Sequence, residues 1–268
     1  MYRQSFSLER WPFGSDIASD DLFPSRAATE AQARLNHLAE MRGIGLITGE
    51  VGSGKTAVCR RFADSLPRGL FKIVYLPLAA STPLEAMNCI AAEFGLAPGQ
   101  SRSMVGRAIS GELSRLAGNR QTPVLIIDEA HLLSNPVLEN LRMLTNFDID
   151  SAQRFCLLLT GLTGLRRRLA MGVNESLAQR LVVRHHMDGL AAEEIEPYIE
   201  HRLRMAGAPD IPIFGKTAVA AIAQTAHGLP RRINQIAHNA LAAAAADKAR
   251  EVTDNHVARA IDELNLKA

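Results

Sequence analysis

The sequence predicts an α/β fold, in which a parallel sheet covered by helices on both faces is followed by a small all-helical lid domain. Four short, continuous apolar runs recur along the first part of the chain, and helical patterns separate them. Such runs are typical of parallel strands that are buried on both faces, with the helices as connections between them. After about Gly189 these runs cease and four helical patterns follow, which predicts the lid.

The elements of the sheet domain are predicted in chain order from hydrophobic periodicity and from stop signals. Thr82 is the predicted N-cap of one helix, because Pro83 follows it at the first helical position. The predicted strands are GIGLITG, FKIVYLPL, TPVLIIDEAH and QRFCLLLTG. The predicted helices are ATEAQARLNHLAEM, a segment from about Lys55 to Ser65, TPLEAMNCIAAEFGL, SMVGRAISGELSRLAG and NPVLENLRMLTNF.

The lid is predicted from four helical patterns that Gly and Pro residues separate. They are AAEEIEPYIEHRLRMAG, FGKTAVAAIAQTAHG, LPRRINQIAHNALAAAAADKAR and TDNHVARAIDELNLKA. The chain is therefore predicted to form two domains, residues 1–188 with the N-terminal segment and the sheet, and residues 189–268 with the helical lid.

Length and composition are in the range in which one large or two modest domains can bury a hydrophobic core. The chain has 268 residues, of which 47% are hydrophobic and 22% charged, and a formal net charge of +2. Any affinity for nucleic acid must therefore come from a local basic patch. Cys59, Cys89 and Cys156 show no CxxC spacing, which favours reduced core thiols in a cytoplasmic protein. The polar N-terminus and the lack of a long apolar window predict neither a signal peptide nor a membrane span.

The segment GEVGSGKT follows the first predicted strand and opens a helix. It matches the complete G-x-x-x-x-G-K-[ST] pattern, in which glycine-rich backbone amides and a helix N-terminus hold phosphate groups. Lys55 is expected to reach the β- and γ-phosphates, and the Thr56 hydroxyl to ligate Mg²⁺. The sequence thus predicts a P-loop site for ATP and Mg²⁺, with these nucleotide-binding residues: Gly49, Glu50, Val51, Gly52, Ser53, Gly54, Lys55, Thr56 and Ala57.

The run VLIIDEAH supplies the second half of the predicted site. An apolar strand that ends in Asp128 and Glu129 places both carboxylates at the carboxyl edge of the sheet. Asp128 can there hold the magnesium shell, and Glu129 can polarise a water molecule. A solvated strand end that caps the next helix is the alternative, but two halves at compatible spacing favour the site. His131 is interpreted as a structural histidine without a catalytic role.

With these motifs the sequence resembles the AAA+ ATPases, in particular the ExeA-like and transposition-regulator branch that includes the TnsC, TniB and MuB proteins and is related to replication-initiator ATPases. The resemblance covers nearly the whole chain. Besides the two motifs above, it involves FSLERWPF, LFPSRAATEAQARL, LTGLTGLRRRL, LAQRLVVRHHMDGL and GLPRRINQIAHNAL. It implies a P-loop NTPase sheet of the AAA+ type, followed by its helical lid.

The resemblance also implies roles for three further residues. Thr160 corresponds to the sensor-1 polar residue that positions the attacking water. Arg180 corresponds to the arginine that a protomer projects into the nucleotide site of its neighbour, and Arg184 is a rival for this role. Arg231 corresponds to the sensor-2 arginine that ties the lid to the γ-phosphate. The planar guanidinium suits phosphate oxygens, and an arginine supplied in trans makes hydrolysis depend on assembly.

Two basic clusters are candidates for contacts to a DNA backbone. The first cluster comprises Arg102, Ser103 and Arg107. It belongs to a helical pair that resembles the DNA-tracking insertion of initiator-type relatives. The second comprises Arg166, Arg167 and Arg168. Contacts of this kind are largely independent of base sequence and sensitive to salt. For the second cluster, a solvated helix face is an equally weighted alternative.

The N-terminal segment carries the aromatic residues Phe6, Trp11 and Phe13. In related N-terminal segments such residues tend to pack over the purine, which is one interpretation. The other is a hydrophobic anchor of the segment onto the core.

Three functions are compatible with the resemblance. The first is a transposition regulator, whose protomers assemble with ATP on duplex DNA as a ring or filament and recruit a transposase or integrase. The second is an ExeA-like ATPase that assists secretin assembly. Those relatives carry a membrane span and a cell-wall-binding part after the ATPase core. Because the sequence ends at Ala268 without either part, we expect the transposition regulator. The third is a phosphate-bound signalling switch that never hydrolyses its nucleotide. Glu129 argues against it, because a pure switch needs no carboxylate that activates water.

Overall fold

The structure is a computed structural model that describes residues 2–77, 80–144 and 155–264. Its contacts group into two compact units, which we call the sheet unit and the helical unit. The sheet unit comprises the described parts of residues 30–49 and 55–187, and the helical unit those of residues 1–29, 50–54 and 188–268.

The contacts group the N-terminal segment, residues 2–29, with the C-terminal helices. The predicted domain boundary between residues 188 and 189 remains a prediction. None of the helices in the described ranges is long and apolar enough to cross a membrane.

The sheet unit contains a five-stranded sheet in the order β2-β3-β4-β1-β5, in which all neighbouring strands are parallel. Every residue of the three inner strands is buried, as expected for strands covered on both faces. The predicted parallel α/β sheet is therefore confirmed. The strands are β1 (Ile44–Gly49), β2 (Phe71–Pro77), β3 (Thr122–Asp128), β4 (Cys156–Gly161) and β5 (Leu181–Met187).

Helices cover both faces of this sheet. Successive side chains of a strand point to opposite sides, so two adjacent residues of β1 show what covers each face. Leu46 of β1 faces a core that includes Ile90 and Ile109 on two of the helices. The adjacent Gly45 faces Leu38, whose Cδ2 atom would be 2.4 Å from an added Cβ. The helices are α2 (Arg26–Met41), α3 (Lys55–Ser65), α4 (Pro83–Glu93), α5 (Arg102–Gly118), α6 (Asn135–Leu144), α7 (Thr163–Leu169) and α8 (Glu175–Ala178).

The predicted start of α4 is confirmed in detail. The Thr82 hydroxyl accepts a hydrogen bond from the backbone N–H of Glu85 at 3.3 Å, and Pro83 occupies the first helical position. A side-chain oxygen at the N-cap satisfies an amide that has no partner within the helix.

Strand β5 was missed by the sequence analysis. Val183 and Met187 are buried, whereas Val182 and Arg184 are exposed. This strand lies at the edge of the sheet beside β1. Arg184, His185 and His186 interrupt its apolar residues, so its sequence does not show the continuous apolar run by which the other four strands were identified.

Parts of four predicted elements lie outside the described residues. They are Leu78 of the second strand, residues 145–147 of the helix NPVLENLRMLTNF, residues 153–154 of the fourth strand and residues 265–268 of the last helix.

Two of the three thiols lie in the core of the sheet unit. Cys59 on α3 and Cys156 on β4 are fully buried. Burial raises the pKa of both thiols, that of Cys156 to about 12. At such pKa values the thiols stay protonated and unreactive at neutral pH.

The helical unit confirms the predicted C-terminal helices. Its core is rich in alanine on α11, where Ala237, Ala240 and Ala244 have no exposed surface. Small side chains let neighbouring helices approach closely, and α11 contacts both α10 and α12. The helices of this unit are α1 (Tyr2–Ser5), α9 (Ala192–Met205), α10 (Lys216–Ala226), α11 (Pro230–Ala246) and α12 (Asp254–Glu263).

The N-terminal segment is part of the hydrophobic core of the helical unit. Phe6 and Phe13 are about 95% buried among the C-terminal helices, at 5% and 6% exposure. The Phe13 ring meets the Phe214 ring edge to face, with 6.2 Å between the ring centroids. The Arg202 guanidinium donates to the carbonyl oxygen of Pro12 at 2.7 Å. These contacts support the interpretation of Phe6 and Phe13 as hydrophobic anchors.

Replacing Phe13 by alanine is expected to destabilise the protein by about 3 kcal/mol, because a buried aromatic ring is lost and a cavity remains. The free energy of unfolding of the helical unit, measured by urea titration, checks this. Ile211→Ala is the matched control, since Ile211 is 69% exposed in the same unit. An equal loss in the two variants would contradict the anchor role.

Candidate functional site

The register of the central strands brings the motif residues of the sheet unit to one edge. Ile127 of β3 is paired with Leu159 of β4, so the following residues, Asp128 and Thr160, are neighbours. Thr48 of β1 is paired with the last residue of β4. Because the strands are parallel, their carboxyl ends meet at this edge, which is where ligands bind in open α/β sheets.

The Asp128 carboxylate is the centre of a hydrogen-bond cluster. Its Oδ2 atom accepts from the Thr56 hydroxyl at 2.9 Å and from the Tyr75 hydroxyl at 2.7 Å. Its Oδ1 atom accepts from the Thr160 hydroxyl and, at 2.9 Å, from the backbone N–H of Glu129. Burial alone would raise the pKa of Asp128, but these four hydrogen bonds outweigh it and lower the pKa. The carboxylate is therefore ionised at neutral pH, as a magnesium site requires.

Thr160 is fully buried and uses its hydroxyl proton for Asp128. A hydroxyl has one proton to donate and lone pairs to accept with. In this arrangement Thr160 can accept a hydrogen bond from a water molecule but cannot donate one to it. Its sensor-1 role remains a prediction.

Lys55 and Thr56 are the first two residues of α3. The Lys55 side chain is 6% exposed, and its Nζ atom donates to the carbonyl oxygen of Gly49 at 3.1 Å. A buried ammonium group is costly unless its donors are satisfied. The hydrogen bond to Gly49 is one of the contacts that offset this cost, and the buried ammonium group places a positive charge at the start of α3.

The loop between β1 and α3 belongs to the helical unit, where it contacts Arg231. Gly52 has a φ of +81°, a conformation that favours glycine, and an added Cβ would lie 2.5 Å from the Cβ of Arg231. The backbone N–H of Arg231 donates to the Gly52 carbonyl oxygen at 3.3 Å. The buried Ser53 hydroxyl has no hydrogen-bond partner among the described residues. The sensor-2 role of Arg231 remains a prediction.

Glu129 follows β3 in an unusual backbone conformation. Its φ of 54° and ψ of 31° are in the left-handed region, which is strained for a non-glycine residue and common at functional sites. The side chain is 48% exposed, and its Oε2 atom lies 3.2 Å from Nδ1 of His131. This contact was not foreseen when His131 was interpreted as a structural histidine.

The two candidate trans arginines differ in their surroundings. Arg180 is half-buried immediately before β5, and its charge helps Arg142 to lower the pKa of Glu139 on α6. Arg184 is exposed, and its guanidinium donates to the carbonyl oxygen of Ala178. Which of the two acts in trans remains a prediction.

The predicted DNA-contacting residues are mostly at the surface of the sheet unit. Arg102, Ser103 and Arg107 are exposed at the beginning of α5, and Arg166 and Arg167 are exposed on α7. In contrast, the guanidinium of Arg168 is directed inwards and donates to the carbonyl oxygens of Ala130 and His131. We therefore carry the DNA hypothesis forward without Arg168.

Tyr75 is a site residue that the sequence analysis did not identify. It lies on β2 and is 41% exposed, while its hydroxyl donates to Asp128. Burial and the nearby carboxylate raise its pKa, so the phenol stays protonated. In the register of β2 and β3, Asp128 is paired with Pro77 and not with Tyr75. Tyr75 lies two residues before Pro77, and its long side chain lets the hydroxyl reach the carboxylate.

The residues present fit a nucleotide with a divalent cation. The Thr56 hydroxyl and the ionised Asp128 are the oxygen ligands that Mg²⁺ prefers. In the helical unit, the loop of residues 50–54 has a positive φ at Gly52 and a Ser53 hydroxyl with no hydrogen-bond partner in the described ranges, so a phosphate group can come close to it. Lys55 supplies a buried positive charge.

Comparison with known proteins identifies the family of this domain. Residues 38–169 match the family described as an AAA domain. The chain is 32% identical to the General secretion pathway protein A of Aeromonas hydrophila over 269 residues. This match covers 99% of the chain and 49% of the relative, so the chain spans about half the length of the curated relative it matches.

Solved structures share the fold. Drosophila ORC bound to DNA has a TM-score of 0.71 at 19% identity, with 98% of this chain and 66% of that chain covered. Cdc6p of Pyrobaculum aerophilum has a TM-score of 0.70 at 14% identity, with 94% and 70% covered. The secretion-pathway relative supports the ExeA-like part of the resemblance. The TnsC, TniB and MuB branch remains a prediction. The sheet, the motif residues at its carboxyl edge and these matches lead to one conclusion: residues 38–169 form an ATPase domain of the AAA family.

Proposed function

We propose that this protein is a Mg²⁺-dependent ATPase that hydrolyses ATP to ADP and phosphate. The observation that carries the proposal is the hydrogen-bond cluster around Asp128, which joins the ionised carboxylate to the hydroxyl of Thr56 at 2.9 Å. A carboxylate and a hydroxyl in this arrangement, beside the buried Lys55, are the parts that P-loop ATPases use to hold the cation and the β- and γ-phosphates.

Each residue of the site has a proposed task. Backbone amides of residues 49–57 and the Lys55 ammonium bind the phosphates, while Thr56 and Asp128 hold Mg²⁺, which neutralises charge on the phosphate oxygens. Glu129 accepts a proton from the attacking water, and Thr160 orients that water. Arg231 contacts the γ-phosphate from the lid.

Assembly is proposed to complete the site. Arg180, with Arg184 as the rival, enters the nucleotide site of a neighbouring copy. A head-to-tail interface of this type is heterologous, and it forms a closed ring or an open helical filament depending on the rotation between copies. Hydrolysis then depends on oligomerisation, because the trans arginine stabilises the charge that develops in the transition state.

Duplex DNA is the proposed scaffold of the assembly. Support comes from five exposed residues that can contact a phosphate backbone without reading bases, namely Arg102, Ser103, Arg107, Arg166 and Arg167. The fold is shared with Drosophila ORC, whose structure was solved bound to DNA. Because neutralised phosphates release counterions, binding should weaken steeply with salt and depend little on base sequence.

The proposed output is regulation of transposition in the cytoplasm. The ATP-bound assembly marks a stretch of DNA and recruits a transposase or integrase, and hydrolysis disassembles it. The resemblance to the TnsC, TniB and MuB branch is the basis of this step.

A second candidate is an ATPase of a secretion pathway. The 32% identity with the General secretion pathway protein A extends over 99% of the chain, which favours this reading for the ATPase core. Its partner would be a component of the secretion apparatus and not DNA. The two candidates share the ATP site and differ in the assembly that ATP promotes.

The test is negative-stain electron microscopy with a non-hydrolysable ATP analogue, with and without duplex DNA, together with filter retention of labelled DNA at several salt concentrations. We expect DNA-dependent rings or filaments, and a loss of retention of about a hundredfold or more between low and moderate salt if several phosphates are contacted. Arg180→Ala should prevent assembly; if Arg184→Ala prevents it instead, the rival is the trans arginine. Monomers that retain no DNA would contradict the transposition proposal, and assembly that ignores DNA would favour the secretion candidate.

A further inference from the structure

Helix α7 directs its three consecutive arginines to different environments. Arg166 and Arg167 are exposed, whereas Arg168 is half-buried. Residues three apart on a helix lie on one face, and Arg168 shares the inner face with Leu165, which is 1% exposed. The guanidinium of Arg168 is therefore directed towards the sheet unit, and partial burial lowers its pKa.

The guanidinium of Arg168 donates to the turn that follows β3 and Glu129. Its Nη1 atom donates to the carbonyl oxygen of His131 and its Nη2 atom to that of Ala130, each at 3.2 Å. These two carbonyls belong to the single 3₁₀ turn Ala130–Leu132, which starts immediately after Glu129. One planar guanidinium thus spans two successive peptide groups, a geometry that lysine cannot reproduce.

The same turn is held from a second direction by close backbone packing. A Cβ added to Gly161 at the end of β4 would lie 3.1 Å from the backbone nitrogen of His131 and 2.9 Å from Cδ2 of Leu165. Glycine at this position lets the turn, β4 and α7 approach one another closely. The turn can therefore shift only if these contacts are broken.

The side chain of Glu129 is not held by packing of its own. It is 48% exposed, its backbone has a left-handed conformation, and the contact at 3.2 Å comes from His131 in the same turn. The position of the carboxylate is consequently set by the position of the turn. A displacement of about 1 Å at a reacting group can lower a rate by about a hundredfold.

We propose that Arg168 is a positioning residue for Glu129: by fixing the carbonyls of Ala130 and His131, it keeps the Glu129 carboxylate where it can accept a proton from the attacking water. The inference rests on the proposed ATPase function. It assigns to Arg168 an effect on turnover and none on the binding of nucleotide, since the hydrogen bonds of its guanidinium go to Ala130 and His131, which are not among the proposed nucleotide-binding residues.

The test compares Arg168→Ala, Arg168→Lys and the control Arg68→Ala, which removes an exposed arginine of the same unit. We measure kcat and KM for MgATP, the affinity for a fluorescent ATP analogue, the thermal unfolding temperature, and amide hydrogen exchange of residues 129–133 without nucleotide. For Arg168→Ala we expect kcat to fall by about tenfold to a hundredfold, unchanged analogue affinity and faster exchange in the turn. Arg168→Lys should recover part of the loss.

The outcomes separate this proposal from the proposed function. A wild type that binds and hydrolyses no ATP overturns both. If the wild type turns over ATP and the kcat of Arg168→Ala is within about twofold of the wild-type value, the positioning role alone is overturned. A parallel loss of analogue affinity in Arg168→Ala also overturns it, because that loss would indicate damage to the whole site. If Arg168→Ala does not fold, Arg168→Lys decides: wild-type exchange in residues 129–133 together with wild-type kcat overturns the proposal.

Discussion

Replacing Lys55 by alanine is expected to weaken the binding of ATP by about a hundredfold or more, and to abolish hydrolysis and assembly together. Charge-assisted hydrogen bonds contribute about 1.5–3 kcal/mol each, and the ammonium is expected to make two of them, to the β- and γ-phosphates. Tenfold in affinity corresponds to about 1.4 kcal/mol. The measurement is equilibrium binding of a fluorescent ATP analogue, followed by phosphate release.

The control for this variant is Lys72→Ala, because Lys72 is an exposed lysine on β2 of the same unit. Thermal unfolding of both variants separates a loss of ligand contacts from a loss of fold, since Lys55 is 6% exposed and also donates to the Gly49 carbonyl. Assembly on DNA by the Lys55 variant would show that polymerisation does not require the nucleotide, and it would overturn the proposed coupling.

Replacing Glu129 by glutamine is expected to lower kcat by about a hundredfold or more, while ATP binds with nearly wild-type affinity. A general base contributes about a hundredfold to ten-thousandfold to a rate, and glutamine keeps the size of the side chain but cannot accept the proton. The backbone N–H of residue 129 can still donate to Asp128, as it does at 2.9 Å in the wild type. ATP-bound assemblies should therefore form and persist, which electron microscopy and turnover assays can follow over time.

Glu93→Gln is the matched control, since Glu93 is an exposed carboxylate at the end of α4. Rapid ATP consumption by the Glu129 variant would remove that residue from its assigned role. Weak binding of the analogue would instead indicate that glutamine disturbs the Asp128 cluster.

Local sequence signals were sufficient for much of the fold. The helix predicted from about Lys55 to Ser65 has these bounds in the structure, and Thr82 caps α4 as predicted. Both depend on short-range rules, namely the glycine-rich loop before a helix and the side-chain oxygen at its N-cap. The position of Asp128 at the carboxyl edge of the sheet also followed from its place at the end of an apolar strand, whereas its adjacency to Thr160 depends on the strand order that the structure shows.

Features that depend on long-range contacts were not predicted. The hydroxyl of Tyr75 reaches Asp128 from a neighbouring strand, and no periodicity in the sequence indicates which residue of β2 does so. Arg168 was grouped with Arg166 and Arg167 by composition. Its helical spacing from Leu165 was a signal that it faces inwards, and only the structure shows the carbonyls that it meets.

The N-terminal anchor also has a consequence for how the chain is made. The Tyr2 hydroxyl bonds to the ring of His238 across 236 positions of sequence, and Arg202 bonds to Pro12 across 190. During translation, these N-terminal aromatic side chains emerge well before the C-terminal helices that bury them. The β-strands of the described residues lie between these two segments of the chain, so they can pair while the N-terminal aromatics are still exposed.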